Sequence, residues 1–158
     1  MEEGLEWKEE KGQGDFLANI EKYFGNPRLR PEQYSSLGLA YIGDGVYDLI
    51  IRTIVINLGN GKVNNFHRLT SGVVKAEAQA KLVKEILELL NEEEEAVYRH
   101  GRNAKSGTSA KNASIVDYRV ATGFEALLGY LYLKHRMDRA LELVREGLRR
   151  TGQLPKQL

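Results

Sequence analysis

Residues 37–52 read LGLAYIGDGVYDLIIR, and the apolar run extends on both sides over 34–57. It is too long and too continuous for a strand. The spacing of Tyr41, Ile42, Val46, Leu49, Ile50 and Val55 predicts a mostly buried helix. Asp44 interrupts it between Gly43 and Gly45. Desolvating an unpaired carboxylate costs several kcal/mol, on the order of 2–7 even for a neutral polar group, so the position asks for a compensating partner.

A second stretch, YRVATGFEALLGYLYL at 118–133, has the same character. Val120, Phe124, Leu127, Leu128 and Leu131 form a wide apolar face. Glu125 shares a helix side with Ala121, Leu128 and Gly129, at the edge of that face or inside it. Both acids have glycines nearby: Gly43 and Gly45 for Asp44, Gly123 and Gly129 for Glu125. Glycine inside a helix costs about 0.5–1 kcal/mol relative to alanine, and close approach of two backbones is one reason to retain it. Helices crossing at those glycines would bring Asp44 and Glu125 together. Two facing carboxylates repel unless a cation lies between them or one is protonated. A hard divalent ion, Mg²⁺ above all, fits an all-oxygen site. The competing reading is that each acid pairs with a base such as Arg52 or Arg119. Asp48, four residues after Asp44, is read as exposed, capping or salt-bridged.

The rest of the chain reads as helix. Residues 15–27 predict a short amphipathic helix stopped by Gly25, Asn26 and Pro27. Helices of about one turn over 64–69 and of five turns over 71–90 follow, the second with a stripe at Ala76, Ala80, Val83 and Leu87. Asn91 caps the next helix, and Glu92–Glu95 meet the positive end of its dipole as a solvated start. The pattern stops over 99–114 and resumes as helices over 117–134 and 138–150. No strand, repeat or domain-dividing linker is evident. The expected architecture is an all-α helical bundle, with a flexible extension over 1–14, one domain over 15–150 and a tail over 151–158.

Composition narrows the class. The 158 residues contain no cysteine, which excludes disulfides and thiolate metal sites. No apolar run approaches the roughly 20 residues of a membrane span. The first 14 residues do not resemble a secretory signal, so the default compartment is the cytoplasm. The net charge is only +1, but the first ten residues hold five Glu and one Lys, so the rest carries +5. His67, His100 and His135 have no zinc-type spacing. The segment RHGRNAKSGTSAK at 99–111 carries Arg99, Arg102, Lys105 and Lys111, with no acid between Ala96 and Val116. Such a loop suits phosphate and sugar contacts; the alternative is a plain solvated loop.

Taken together, LGLAYIGDGVYDLIIR, FHRLTSGVVKAEAQAK, RHGRNAKSGT and GFEALLGYLYL resemble the Mini-III ribonucleases, over about residues 30–148. These are short relatives of ribonuclease III without its double-stranded-RNA-binding domain. The resemblance implies the ribonuclease III endonuclease-domain fold and a homodimer. It also implies Mg²⁺-dependent cleavage of double-stranded RNA to 5′-phosphate and 3′-hydroxyl ends, with Mn²⁺ able to substitute. The family trims precursor 23S ribosomal RNA, which leaves room for a ribosomal protein on the substrate as a further partner. The catalytic and metal-binding acids fall on Asp44 and Glu125. The RNA contacts are expected from His67, Arg68, Arg99, Arg102, Asn103, Lys105, Ser106 and Lys111. Two further acids of full-length ribonuclease III correspond here to Ala40 and Thr122, as in Mini-III. The competing readings are a non-catalytic double-stranded-RNA-binding protein of the same fold, and a helical protein–protein module.

Overall fold

The computed structural model describes residues 15–105 and 114–154, among which every regular element is helical. The described residues up to Arg30 and those from Pro31 onward fall into two compact units. The first holds helix α1 (Phe16–Phe24), opened by Asp15, whose carboxylate accepts from the Leu17 amide at 2.9 Å. Gly25 ends it with φ +102°, a conformation open to glycine and strained for other residues.

The second unit contains α2 (Ser36–Asn57), α3 (Val63–Val74), α4 (Ala76–Ile86), α5 (Glu92–Asn103), α6 (Ile115–Leu133) and α7 (Met137–Thr151). This unit begins at Pro31, and its core reaches Leu154. The main core is assembled from Tyr47, Ile51 and Val55 of α2, Leu82 and Ile86 of α4, and Phe124, Leu127, Leu128 and Leu131 of α6. Leu143, Val144 and Leu148 of α7 close it. Tyr47 meets Phe124 edge-on, with ring centroids 5.3 Å apart, an arrangement that aromatic quadrupoles favour. Among the described residues, no helix is long and apolar enough to cross a membrane.

Local signals explain where most helices start. Ser35 accepts from the Gly38 amide, and Ser114 from the Asp117 amide, each at 3.0 Å. Asn91 and Glu94 form a reciprocal capping box at the head of α5. Three boundaries differ from the sequence reading. The expected one-turn helix over 64–69 is the twelve-residue α3. The expected helix over 71–90 is interrupted at Lys75, whose backbone is extended (ψ 152°), and ends in a 3₁₀ turn over Leu87–Leu89. Good helix formers on both sides hid this break, because tertiary packing overrides propensity. Finally, α5 runs on to Asn103, so Arg99, His100, Arg102 and Asn103 belong to a helix and not to a loop.

Two expectations about burial are also corrected. Tyr41 is 83% exposed and Leu49 56%, so α2 is not buried all round. Asp44 lies on that outward side and is exposed. Glu94, read as part of a solvated helix start, is 2% exposed.

Candidate metal and catalytic site

Helices α2 and α6 cross at two glycines. A Cβ on Gly43 would overlap the Glu125 carbonyl oxygen and lie 2.9 Å from the Gly129 nitrogen. A Cβ on Gly129 would overlap the Leu39 carbonyl oxygen and lie 2.9 Å from Ile42 Cγ2. Neither position tolerates any side chain at this separation. The other two glycines do not serve the crossing: Gly45 faces open space, and Gly123 packs against Tyr98 of α5.

The crossing sets Asp44 and Glu125 within hydrogen-bond reach of each other. Their environments differ. Asp44 is exposed, whereas Glu125 is half-buried. The opening puzzle is therefore relocated: the carboxylate that burial strains is Glu125. Loss of solvent, and then the neighbouring charge of Asp44, push the Glu125 carboxyl up to about 8. A hydrogen bond from Gln79 Nε2, 3.3 Å from Glu125 Oε2, opposes the rise without cancelling it.

Among the described residues, neither carboxylate has the basic partner that the competing reading requires. Arg52 is bound to Asp48 instead, at 2.6 Å, which also accounts for Asp48 as a salt-bridged residue on the helix surface. No base contributes to the shift at Glu125. A divalent cation fits this arrangement: the donors are all oxygen, no base among the described residues relieves their mutual repulsion, and one faces solvent. Among the described residues, no group of three or more His, Asp or Glu side chains is arranged to hold a metal. An ion here would keep several waters, as Mg²⁺ commonly does. Ala40 is buried beside Ala126 and Tyr130. Thr122 turns its hydroxyl onto its own helix, donating to the Tyr118 carbonyl at 2.9 Å.

The candidate RNA-contacting residues divide into three groups. Gly101 packs against Gly123 and Ala126 of α6, which anchors the last turn of α5 next to the segment carrying Glu125. Arg102 projects from that turn, its guanidinium 5.6 Å from the Tyr98 ring centroid, and Asn103 and Lys105 are exposed beside it. Arg99 is there too, but it is not a cation without a counter-charge: Glu95, one turn earlier, binds it at 3.0 Å. His67 and Arg68 belong to a second region, on α3. His67 lines a cleft of about 360 Å³ with Arg52, Thr53 and Phe66, and Arg68 leans on Asn65 at 3.4 Å. Ser106 and Lys111 lie outside the described residues. The sequence reading passed over Gln79. Its signal was present: Gln79, Leu82, Val83 and Ile86 recur at helical spacing, so an amide lies within a buried stripe.

Comparison with known proteins gives the family. The ribonuclease III domain family matches residues 37–136, which include both carboxylates. The Mini-ribonuclease 3 of Enterococcus faecalis is 47% identical over 124 residues, covering 77% of this chain and 94% of that protein. The Mini-ribonuclease 3 of Clostridium tetani is 51% identical over 130 residues, covering 80% and 86%. A crystal structure of a Fusobacterium nucleatum protein superposes with a TM-score of 0.67 at 26% identity, covering 72% of this chain and 92% of that one. The chain therefore belongs to the ribonuclease III domain family, among the Mini-ribonuclease 3 proteins, and is an endoribonuclease.

Proposed function

We propose that this endoribonuclease cuts double-stranded RNA with Mg²⁺ held by Asp44 and Glu125, and that its substrate is precursor 23S ribosomal RNA in the cytoplasm. One observation carries the reading: two carboxylates from distant helices meet at a glycine crossing with no base among the described residues to neutralise them. A bound divalent ion lowers the pKa of a water and stabilises charge on the scissile phosphate. Glu125 must give up its proton to serve as a ligand, and its raised pKa makes that step sensitive to pH. Asp44, on the solvent side, is the carboxylate that a phosphodiester approaches first. Water adds to phosphorus and the bond to the 3′-oxygen breaks. The products are a 5′-phosphate and a 3′-hydroxyl.

Arg102, Asn103 and Lys105 supply backbone contacts near α6, with Arg99 joining them at the cost of its bond to Glu95. His67 and Arg68 extend the contact surface, and Ser106 and Lys111 continue the same basic segment. Contacts of this kind position a duplex without reading its sequence. A homodimer gives one site for each strand. It is supported by the apolar side chains that α2 leaves exposed: Leu37, Tyr41, Leu49 and Ile56. A monomeric sedimentation mass would remove the dimer from the scheme. Mn²⁺ replaces Mg²⁺ at an all-oxygen site, and a ribosomal protein on the rRNA adds contacts beyond those of the chain itself.

The test is single-turnover cleavage of a labelled duplex RNA with Mg²⁺. Asp44→Asn is expected to slow cutting by about three orders of magnitude, or roughly 4 kcal/mol of transition-state stabilisation. Duplex binding in metal-free buffer should stay within a few-fold of the parent. Cleavage by Asp44→Asn at the parent rate would refute the assignment.

A further inference from the structure

Among the described residues, one side chain besides Asp44 reaches the Glu125 carboxylate. We infer that Gln79 is a positioning residue, which fixes the Glu125 carboxylate in the orientation that receives the divalent cation. This rests on the metal-holding role proposed above for Glu125.

Three observations support it. First, Gln79 is 2% exposed, and its Nε2 donates to two acceptors: the Val74 carbonyl at 2.8 Å and Glu125 Oε2 at 3.3 Å. Both neighbours are acceptors, so the amide has only one orientation that satisfies them. Second, the break at Lys75 supplies the first of those anchors. In an uninterrupted helix the Val74 carbonyl would accept from the amide four residues on. Here the extended backbone at Lys75 separates α3 from α4, and the Gln79 side chain takes that carbonyl. One N–H of the amide is thereby pinned to the backbone, and the other is directed at Glu125. Third, Gln79 Oε1 is buried with no hydrogen-bond partner. Such an orphan costs about 1–3 kcal/mol. Leu82, Val83 and Ile86 occupy the same stripe without that cost, so packing alone does not account for an amide at position 79.

The consequence for the site is geometric. A carboxylate held at one oxygen by a rigid donor cannot swing freely about its last torsion, and the direction of its second oxygen is set with it. Residues that hydrogen-bond a metal ligand in this way typically contribute ten- to a hundred-fold in metal affinity, to order of magnitude.

The experiment titrates the full chain with Mn²⁺ alone and follows free Mn²⁺ by electron paramagnetic resonance. Gln79→Met keeps the length and apolar bulk but removes the donor. The expected result is a Mn²⁺ Kd about ten-fold or more above the parent. Glu125→Gln, run in parallel, should abolish binding, and adding Gln79→Met to it should change nothing further. A folded Gln79→Met with the parent's Kd, while Glu125→Gln fails to bind, overturns the role of Gln79 and leaves the metal site standing. Parent-like binding by Glu125→Gln overturns the metal site, and this inference with it. If circular dichroism shows Gln79→Met unfolded, Gln79→Asn replaces it, retaining the amide but withdrawing it by one methylene. A weaker Kd for folded Gln79→Asn supports the role, and an unchanged one overturns it.

Discussion

Glu94 is a buried carboxylate and Glu125 a half-buried one, and the chain treats them oppositely. Glu94 is 2% exposed and fully provided for. Its oxygens accept from Arg139 Nε at 2.8 Å, from a second Arg139 nitrogen at 2.9 Å and from the Asn91 amide at 3.0 Å. Burial alone would push the Glu94 carboxyl up, but those hydrogen bonds and the charge of Arg139 outweigh it and hold it below the usual range. Glu125, less buried, has no cation among the described residues; what it has there is a second acid and one amide. The first arrangement fastens α5 to α7 and completes a helix cap. The second brings two acids together, and burial with the neighbouring charge raises the pKa of Glu125. Burial by itself therefore says little about function, and the informative feature is a buried charge that the fold leaves unpaired.

The largest effect expected from breaking this contrast is at the satisfied acid. Arg139→Met leaves Glu94 buried without its partner and should cost about 3–5 kcal/mol. That corresponds to a drop in Tm on the order of 10 °C for a chain of this length. Calorimetry reads it directly, and a Tm within two degrees of the parent would show that the pair is not the fastening described.

The next effect is at the glycines. Gly43→Ala forces α2 and α6 apart and should cost about 3 kcal/mol, the upper range for overpacking. Gly45→Ala meets open space and should raise stability by about 0.5–1 kcal/mol through helix propensity alone. Urea denaturation of both variants separates the two positions, and equal midpoints would contradict the crossing.

The smallest effect concerns Glu125 itself. Its pKa in the folded chain, about 8, is above the unfolded value of about 4.3. The neutral acid is the form that folding favours, so this stability is present at low pH and is lost as pH rises towards 8. In metal-free buffer Glu125→Gln should match the parent near pH 4.5 and melt a few degrees higher near pH 8. Added Mn²⁺ should restore the parent and not the variant. A variant that melts lower than the parent at pH 8 would mean that something else already neutralises Glu125.

Much of the site was legible beforehand because it is written in residue types with few alternative uses. Acids at 44 and 125 near glycines at 43, 45, 123 and 129 suggest a crossing of helices, since glycine lets two backbones approach closely; which of the four serve it, Gly43 and Gly129, came from the structure. Burial was less legible. The segment 37–52 reads as apolar all round, yet Tyr41, Asp44 and Leu49 face outward. Periodicity sorts residues onto faces of a helix but does not say which faces will find neighbours.

From the amino-acid order alone came the helical class, the cap at Asn91, the pairing of Asp44 with Glu125, and the family, because each rests on local chemistry or on distinctive residue combinations. Tertiary structure alone decided that Glu125 and not Asp44 bears the burial, that Arg139 neutralises Glu94, and that the chain breaks at Lys75 to leave the Val74 carbonyl to Gln79. Those outcomes depend on solvent exclusion and on partners more than 40 residues apart, or on packing that overrides local propensity, and neither is encoded in any short stretch of sequence.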